Sequence, residues 1–220
     1  AGFYASGKPA PSASEGNPLG LVKSSDGGET LEMLSFEGES EIHFLGAGYE
    51  TEAVYVVIDA ENSTVAPGLH YTLDDGANWQ SSAAQGITAV TIQLAVHPTD
   101  PAIIAFGAEG GVLLSTDNGN SFTLITESTP LSAVTFSPAE PGVLYYGLRQ
   151  LMRLAPDGSD PVAINMPEIG LQDAMIAIAV NPNNSDELAF ATFDSYVWHT
   201  LDGGENWQLL ADPAGQQITE

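Results

Sequence analysis

A chain of 220 residues is long enough for one all-β domain with a sizeable core, and without a single Cys it has neither disulfides nor thiolate metal sites. Four Lys and Arg stand against 29 Asp and Glu, a formal charge of −25 that repels phosphate backbones and anionic bilayers and argues against nucleic-acid partners. No apolar run approaches the roughly 18–20 residues of a membrane span, and no segment reads as a secretory leader.

In chain order, Gly2 to Ser6 reads as the second strand of a four-stranded unit, Leu19 to Ser24 as its third and Leu31 to Phe36 as its fourth. No innermost strand precedes Gly2, so sequence upstream of Ala1, or a strand supplied from elsewhere, is expected. Between the first two strands, Gly7 to Pro18 is a polar, Pro-rich loop too long for a plain hairpin. The second unit has an inner strand at Ile42–Gly46, then Ala53–Ile58, a second long loop at Asp59–Pro67, and Gly68–Leu73, with its outer strand from Trp79. The third unit runs through Thr91–Pro98, Ile103–Gly107, Gly111–Thr116 and Phe122–Ile125. The fourth opens at Ala133–Pro138 and the fifth at Ala177–Pro182, the latter closing with Trp207–Leu210. Pro98, Pro138 and Pro182 end the inner strands at intervals of 40 and 44 residues. Proline is tolerated at those positions because no ladder hydrogen bond is lost there. No helix-period segment of useful length interrupts the pattern.

A second, independent feature carries the same period. Thr72 to Trp79 and Thr200 to Trp207 both read [ST]-x-D-x-G-x-x-W, while Ser24 to Leu31 and Ser115 to Phe122 keep all but the Trp. The expected physics is that of a hairpin tip. Asp26, Asp74, Asp117 and Asp202 accept from backbone N–H groups two residues on, Gly28, Gly76, Gly119 and Gly204 supply positive φ, and Trp79, Phe122 and Trp207 fold back as plugs. These are Asp-box, or BNR, repeats, and their aspartates are read as structural. The Asp spacings are 48, 43 and 85 residues, and the doubled gap hides a worn copy near Asp157, with Val162 at the Trp position. A period of 40–50 residues built of short strands is a propeller-blade signature. The fold expected is an all-β propeller of four-stranded antiparallel blades. Five are visible, at about 1–38, 39–86, 87–128, 129–168 and 169–212, with 213–220 as tail.

Candidate chemistry is sparse. A sialidase holds its substrate carboxylate with three Arg, and only Arg149 and Arg153 are present in one worn blade. Other glycosidases need a carboxylate pair; among 29 acids, those near inner-strand ends are Glu41, Asp100 and Glu109. Each reads more simply as surface charge. Of the four His, His70 and His199 look equivalent beside their boxes and His97 aligns with Ser137 and Asn181. His43, facing the central channel, is a weak candidate metal ligand. No catalytic residue, cofactor or firm metal site is assigned. At most the acidic field gathers divalent cations loosely, steers basic partners, or reflects a salty medium.

Several phrases are more specific than the box. Phe3 to Pro9, Asn17 to Ser24, Phe36 to Ser40, Leu94 to Pro101 and Phe190 to Phe193 resemble a bacterial family of exported Asp-box propellers commonly labelled glycosyl hydrolase. The resemblance covers nearly the whole chain and implies about six blades, one of them upstream of Ala1. The chain departs from that family at Lys8, where a His is expected. It is more loosely similar to the propellers that help assemble photosystem II and to sortilin-type receptor propellers, both non-catalytic binding scaffolds. The function expected is therefore a non-catalytic, extracytoplasmic binding or scaffold module, an accessory or assembly subunit of an envelope or membrane complex. Protein partners would dock on the long loops. The alternative is a carbohydrate-active hydrolase with a carboxylate pair in the central channel, acting on a glycan.

Overall fold

A computed structural model of the chain describes residues 2–12, 14–126 and 130–214; of the expected tail at 213–220, residues 215–220 lie outside them. The strands fall into five antiparallel sheets, each ordered as in the chain, and the described residues contain no helix. Blade one comprises β1 (Phe3–Ala5), β2 (Leu21–Ser24) and β3 (Glu32–Ser35). Blade two has β4 (Ile42–Ala47), β5 (Val54–Ile58), β6 (Gly68–Thr72) and β7 (Gln80–Ser81). Blade three has β8 (Thr91–Val96), β9 (Ile104–Ala108), β10 (Gly111–Ser115) and β11 (Thr123–Leu124). Blade four has β12 (Ala133–Phe136), β13 (Leu144–Gly147), β14 (Leu151–Leu154) and β15 (Val162–Ala163). Blade five has β16 (Met175–Asn181), β17 (Asn184–Thr192), β18 (Val197–Thr200) and β19 (Gln208–Ala211).

The four strands β4, β8, β12 and β16 touch in succession and form the inner wall. In blade one Phe3 pairs with the box residue Ser24 as Val54 pairs with Thr72, so β1 holds the second position, as the sequence predicts.

The core lies between blades rather than within them. Successive residues of β5 point to opposite neighbours: Val54, Val56 and Ile58 pack on Leu21 and Phe36 of blade one, while Tyr55 packs with Leu94, Ile104 and Phe106 of blade three. A strand covered on both faces has no use for polar alternation, which is why these strands read as unbroken apolar runs. The same sandwich repeats between blades three and four, around Ala105, Leu144 and Tyr146, and between four and five, around Tyr145, Leu188 and Phe190.

The four boxes share one hydrogen-bond circuit. The Ser or Thr hydroxyl accepts from the box Gly N–H, at 2.8 Å for Ser24 to Gly28 and 2.9 Å for Ser115 to Gly119, and donates its own proton to the Asp. The Asp then accepts the N–H four residues on, from Thr30, Asn78, Ser121 or Asn206, and that residue's side chain as well. This differs from the expected bond two residues on, because the hydroxyl already takes that N–H. Trp79, Phe122 and Trp207 plug the seam with the preceding blade, and ring contacts tie them to Phe36, Phe106 and Phe190.

Blade four is worn in a different register from the one expected. Leu144 pairs with Leu154 as Ile104 pairs with Ser115, and Arg153 pairs with Val162 as Leu114 pairs with Thr123. The hydroxyl position is thus Leu154, the Asp position Pro156 and the plug position Pro161; Gly158 alone survives. Asp157 is the residue after the box Asp, and it accepts from Ser159 N–H instead.

The circuit predicts a pH response. The bonded side chain and N–H four residues on hold the carboxyls of Asp26, Asp117 and Asp202 at about 2. In an unfolded chain they titrate near 3.9. A depressed folded value stabilises the fold above about pH 4 and loses that contribution as pH falls towards 2. Thermal melts should show Tm falling across that window, with a flatter fall for Asp117→Asn, which keeps an acceptor but cannot titrate. Because the Ser115 hydroxyl is buried, Ser115→Ala should destabilise by about 1–3 kcal/mol in denaturant melts.

Candidate functional site

Antiparallel strands put the Asp boxes and the turns after the inner strands on one rim, and the turns between second and third strands on the other. Both long loops, 6–20 and 59–67, belong to the second rim and to adjacent blades. They are joined through the segment between β3 and β4. Glu37 accepts from Gly16 N–H at 2.8 Å, and Gly38 N–H donates to the Pro18 carbonyl at 2.7 Å. On the other side Glu39 accepts from both the N–H and the hydroxyl of Ser63, which hold its carboxyl below the usual range. Asn62 donates to Ser40 Oγ at 2.9 Å, and His70 anchors the second loop through the Ala66 carbonyl at 2.7 Å. Lys8, from the first loop, pairs with Glu41 at 2.7 Å. Two loops that would each cost entropy to order are therefore fixed to one another before any partner arrives.

Around the central axis is a cavity of about 720 Å³ to which all five blades contribute, through residues such as Tyr4, Tyr49, Gln93, Thr135 and Ile178. Its lining, among the described residues, includes no Asp or Glu. Lys23 is its one charged group, and Lys23 is paired with Asp75 at 2.6 Å while lying 5.3 Å above the Tyr4 ring. Tyr4 also donates to Asp75. Burial alone would raise the Asp75 carboxyl, yet these two donors hold it below its usual value. The sequence reading missed this cluster, whose only local signal is Asp75, a second acid inside a box.

The expected acids do not converge. Glu41 pairs with Lys8, Asp100 accepts from Ala102 N–H, and Glu109 lies exposed on blade three; none of them lines the central cavity. Arg149 donates to the Leu171 carbonyl and Arg153 pairs with Glu140. A smaller cavity of about 240 Å³ in blade five brings together Glu168, Asp173 and Asp194 beside Tyr196 and Trp198, a grouping the sequence reading did not find. Within it Asp173 is buried. Burial would raise its carboxyl, but the Thr192 hydroxyl and the N–H groups of Asp194 and Ala174 hold it low. An ionised carboxylate with its lone pairs occupied ties loops together; it does not donate protons.

Of the histidines, His43 is exposed and pairs with Asp59 at 3.2 Å on the long-loop rim, away from the channel it was expected to face. No group of three His, Cys, Asp or Glu among the described residues is placed to hold a metal. His70 and His199 are not equivalent: His70 pairs with Ser81 as Trp198 pairs with Leu209, one register apart, so the two rings lie on opposite faces of their blades. His97 does match Ser137 and Asn181, since each caps the turn after its inner strand by accepting from a backbone N–H two or three residues on.

No family model matches the chain, and no curated protein sequence does. Solved structures do resemble it. A chain of a nidogen/laminin complex superposes with TM-score 0.67 at 10% identity, over 96% of this chain and 78% of that one. An ancestral GH74 enzyme gives 0.59 at 19% identity over 78% of this chain, and the GH74 enzyme of Niastella koreensis gives 0.57 at 17% over 86%. This chain spans only 24% and 34% of the length of those two enzymes. At such identities the likeness is one of fold: the chain is a β-propeller.

Proposed function

We propose that this chain is a non-catalytic binding or scaffold propeller of an extracytoplasmic compartment, an accessory or assembly subunit docked on a larger envelope or membrane protein complex. The observation that carries the reading is the pair of long loops locked together on one rim, a prepared surface that loses little entropy on docking. The acidic field draws basic partners to it and can hold divalent cations loosely. The nidogen/laminin complex offers a fold-level analogy for a propeller used in protein contact.

The hydrolase reading has the blade-five group of Glu168, Asp173 and Asp194 beside Trp198 in its favour. Against it stand a central cavity whose described lining holds no Asp or Glu, and an Asp173 carboxylate already engaged by backbone N–H groups.

Mass spectrometry of protein purified from mildly solubilised native membranes is expected to find a stoichiometric protein complex. Recovery of the chain alone would sink the scaffold reading. Glu39→Ala, which releases Ser63 of the second loop without touching a blade seam, should weaken partner capture about three- to tenfold with Tm nearly unchanged. Turnover of glycans that disappears in Glu168→Gln would instead establish the hydrolase.

A further inference from the structure

Three of the four described blade seams are sealed at the box. Gly76, Gly119 and Gly204 press so closely on the preceding blade that a side chain there would collide with Ser35, Leu69 or Ile164, and the adjoining plug ring closes what remains. The residue between box Asp and Gly then often reaches across: Asp75 to Tyr4 and Lys23, Asn118 to Tyr55. Blade four does neither. A Cβ on Gly158 would meet nothing within 4 Å, Pro161 stands where a ring belongs, and Asp157 turns back to its own Ser159.

What is left between blades three and four is a cavity of about 390 Å³, a volume that suits a small organic group. Its walls are apolar, from Ile103, Leu114 and Ile125 on one side to Leu144, Leu154 and Pro156 on the other. One buried polar side chain opens into it. His97 is 8% exposed, and its Nδ1 accepts the N–H of Asp100 at 3.0 Å, which leaves the proton on Nε2. Beside Gly142, Nε2 has no hydrogen-bond partner among the described residues. Burial lowers the imidazole's pKa, so the ring stays neutral and presents that single proton.

We propose that this cavity receives a tyrosine side chain from a protein partner, the ring taking the apolar space and the phenolic oxygen accepting from His97 Nε2–H. At two sister seams an indole stands beside the box Gly, Trp79 at Gly76 and Trp207 at Gly204, and no ring stands beside Gly158, so the space suits an aromatic occupant. A phenylalanine leaves the donor unmet, an indole has a donor but no acceptor, and an anionic ligand meets a chain of charge −25. The inference rests on the binding reading above and supplies it with a second contact point, on the box-bearing rim.

The test is a methyl NMR titration of the full chain with N-acetyl-tyrosinamide and N-acetyl-phenylalaninamide. The tyrosine probe should move the Ile125, Leu114 and Leu154 methyls, and the phenylalanine probe should bind about five- to tenfold more weakly. His97→Asn keeps the turn cap, as Asn181 does in blade five, and removes the donor; it should bring tyrosine down to the phenylalanine level. Pro161→Trp, supplying the missing ring from within, should abolish binding of both, and if that variant fails to fold His97→Asn decides alone. Wild-type methyls that do not move, or a tyrosine preference that survives His97→Asn, would overturn the inference. Co-purification of a partner under those same results leaves the scaffold reading standing.

Discussion

Four of the five blades hang on one buried hydroxyl each: Ser24, Thr72, Ser115 and Thr200. The Ser or Thr at the head of each box receives the Gly N–H and passes its own proton to the Asp, so the buried hydroxyl closes the reversal. That fixes where the box Gly and the plug ring stand, and these in turn set how closely one blade lies against the last. Blade four shows the converse. With Leu154 in the hydroxyl position the circuit cannot start, the tip relaxes into an ordinary Asx turn at Asp157, and the seam with blade three stays open.

Several of the acids that tempt a catalytic reading are spent within the fold. The box carboxylates are spent on their own loops, Asp75 on Lys23 and Tyr4, Asp173 on the turn after β17, and Glu39 on Ser63. A protein with 29 acids nevertheless keeps its central cavity free of Asp and Glu among the described residues. Lys23 is the charged group on that lining, and it is paired with Asp75.

The fold was legible because two unrelated features, the box and the strand-ending proline, repeat with the same period. Local register was less so. Asp157-Gly158 looks like a box Asp with its glycine, yet the β14–β15 pairing shifts the frame by one residue, and only cross-strand partners reveal it. The same limit made His70 and His199 look alike, although one residue of offset sends a strand side chain to the opposite face. Asp173 and His97 escaped because their roles depend on burial and on which nitrogen or oxygen is already occupied, quantities that no spacing encodes. The long loops were readable as loops from their Pro, Gly and polar residues. That they are bolted together through Glu37 and Glu39 was not.

The central claim is that partners meet this propeller on its loop rims. Carboxyl-directed cross-linking of the native assembly, read by mass spectrometry, tests it most directly, because acids are spread over the whole surface. The account predicts cross-links concentrated at Glu37, Glu39, Glu41 and Glu61, around the joined loops. Cross-links scattered evenly over the blade edges, or confined to Glu168 and Asp194 of blade five, would contradict it.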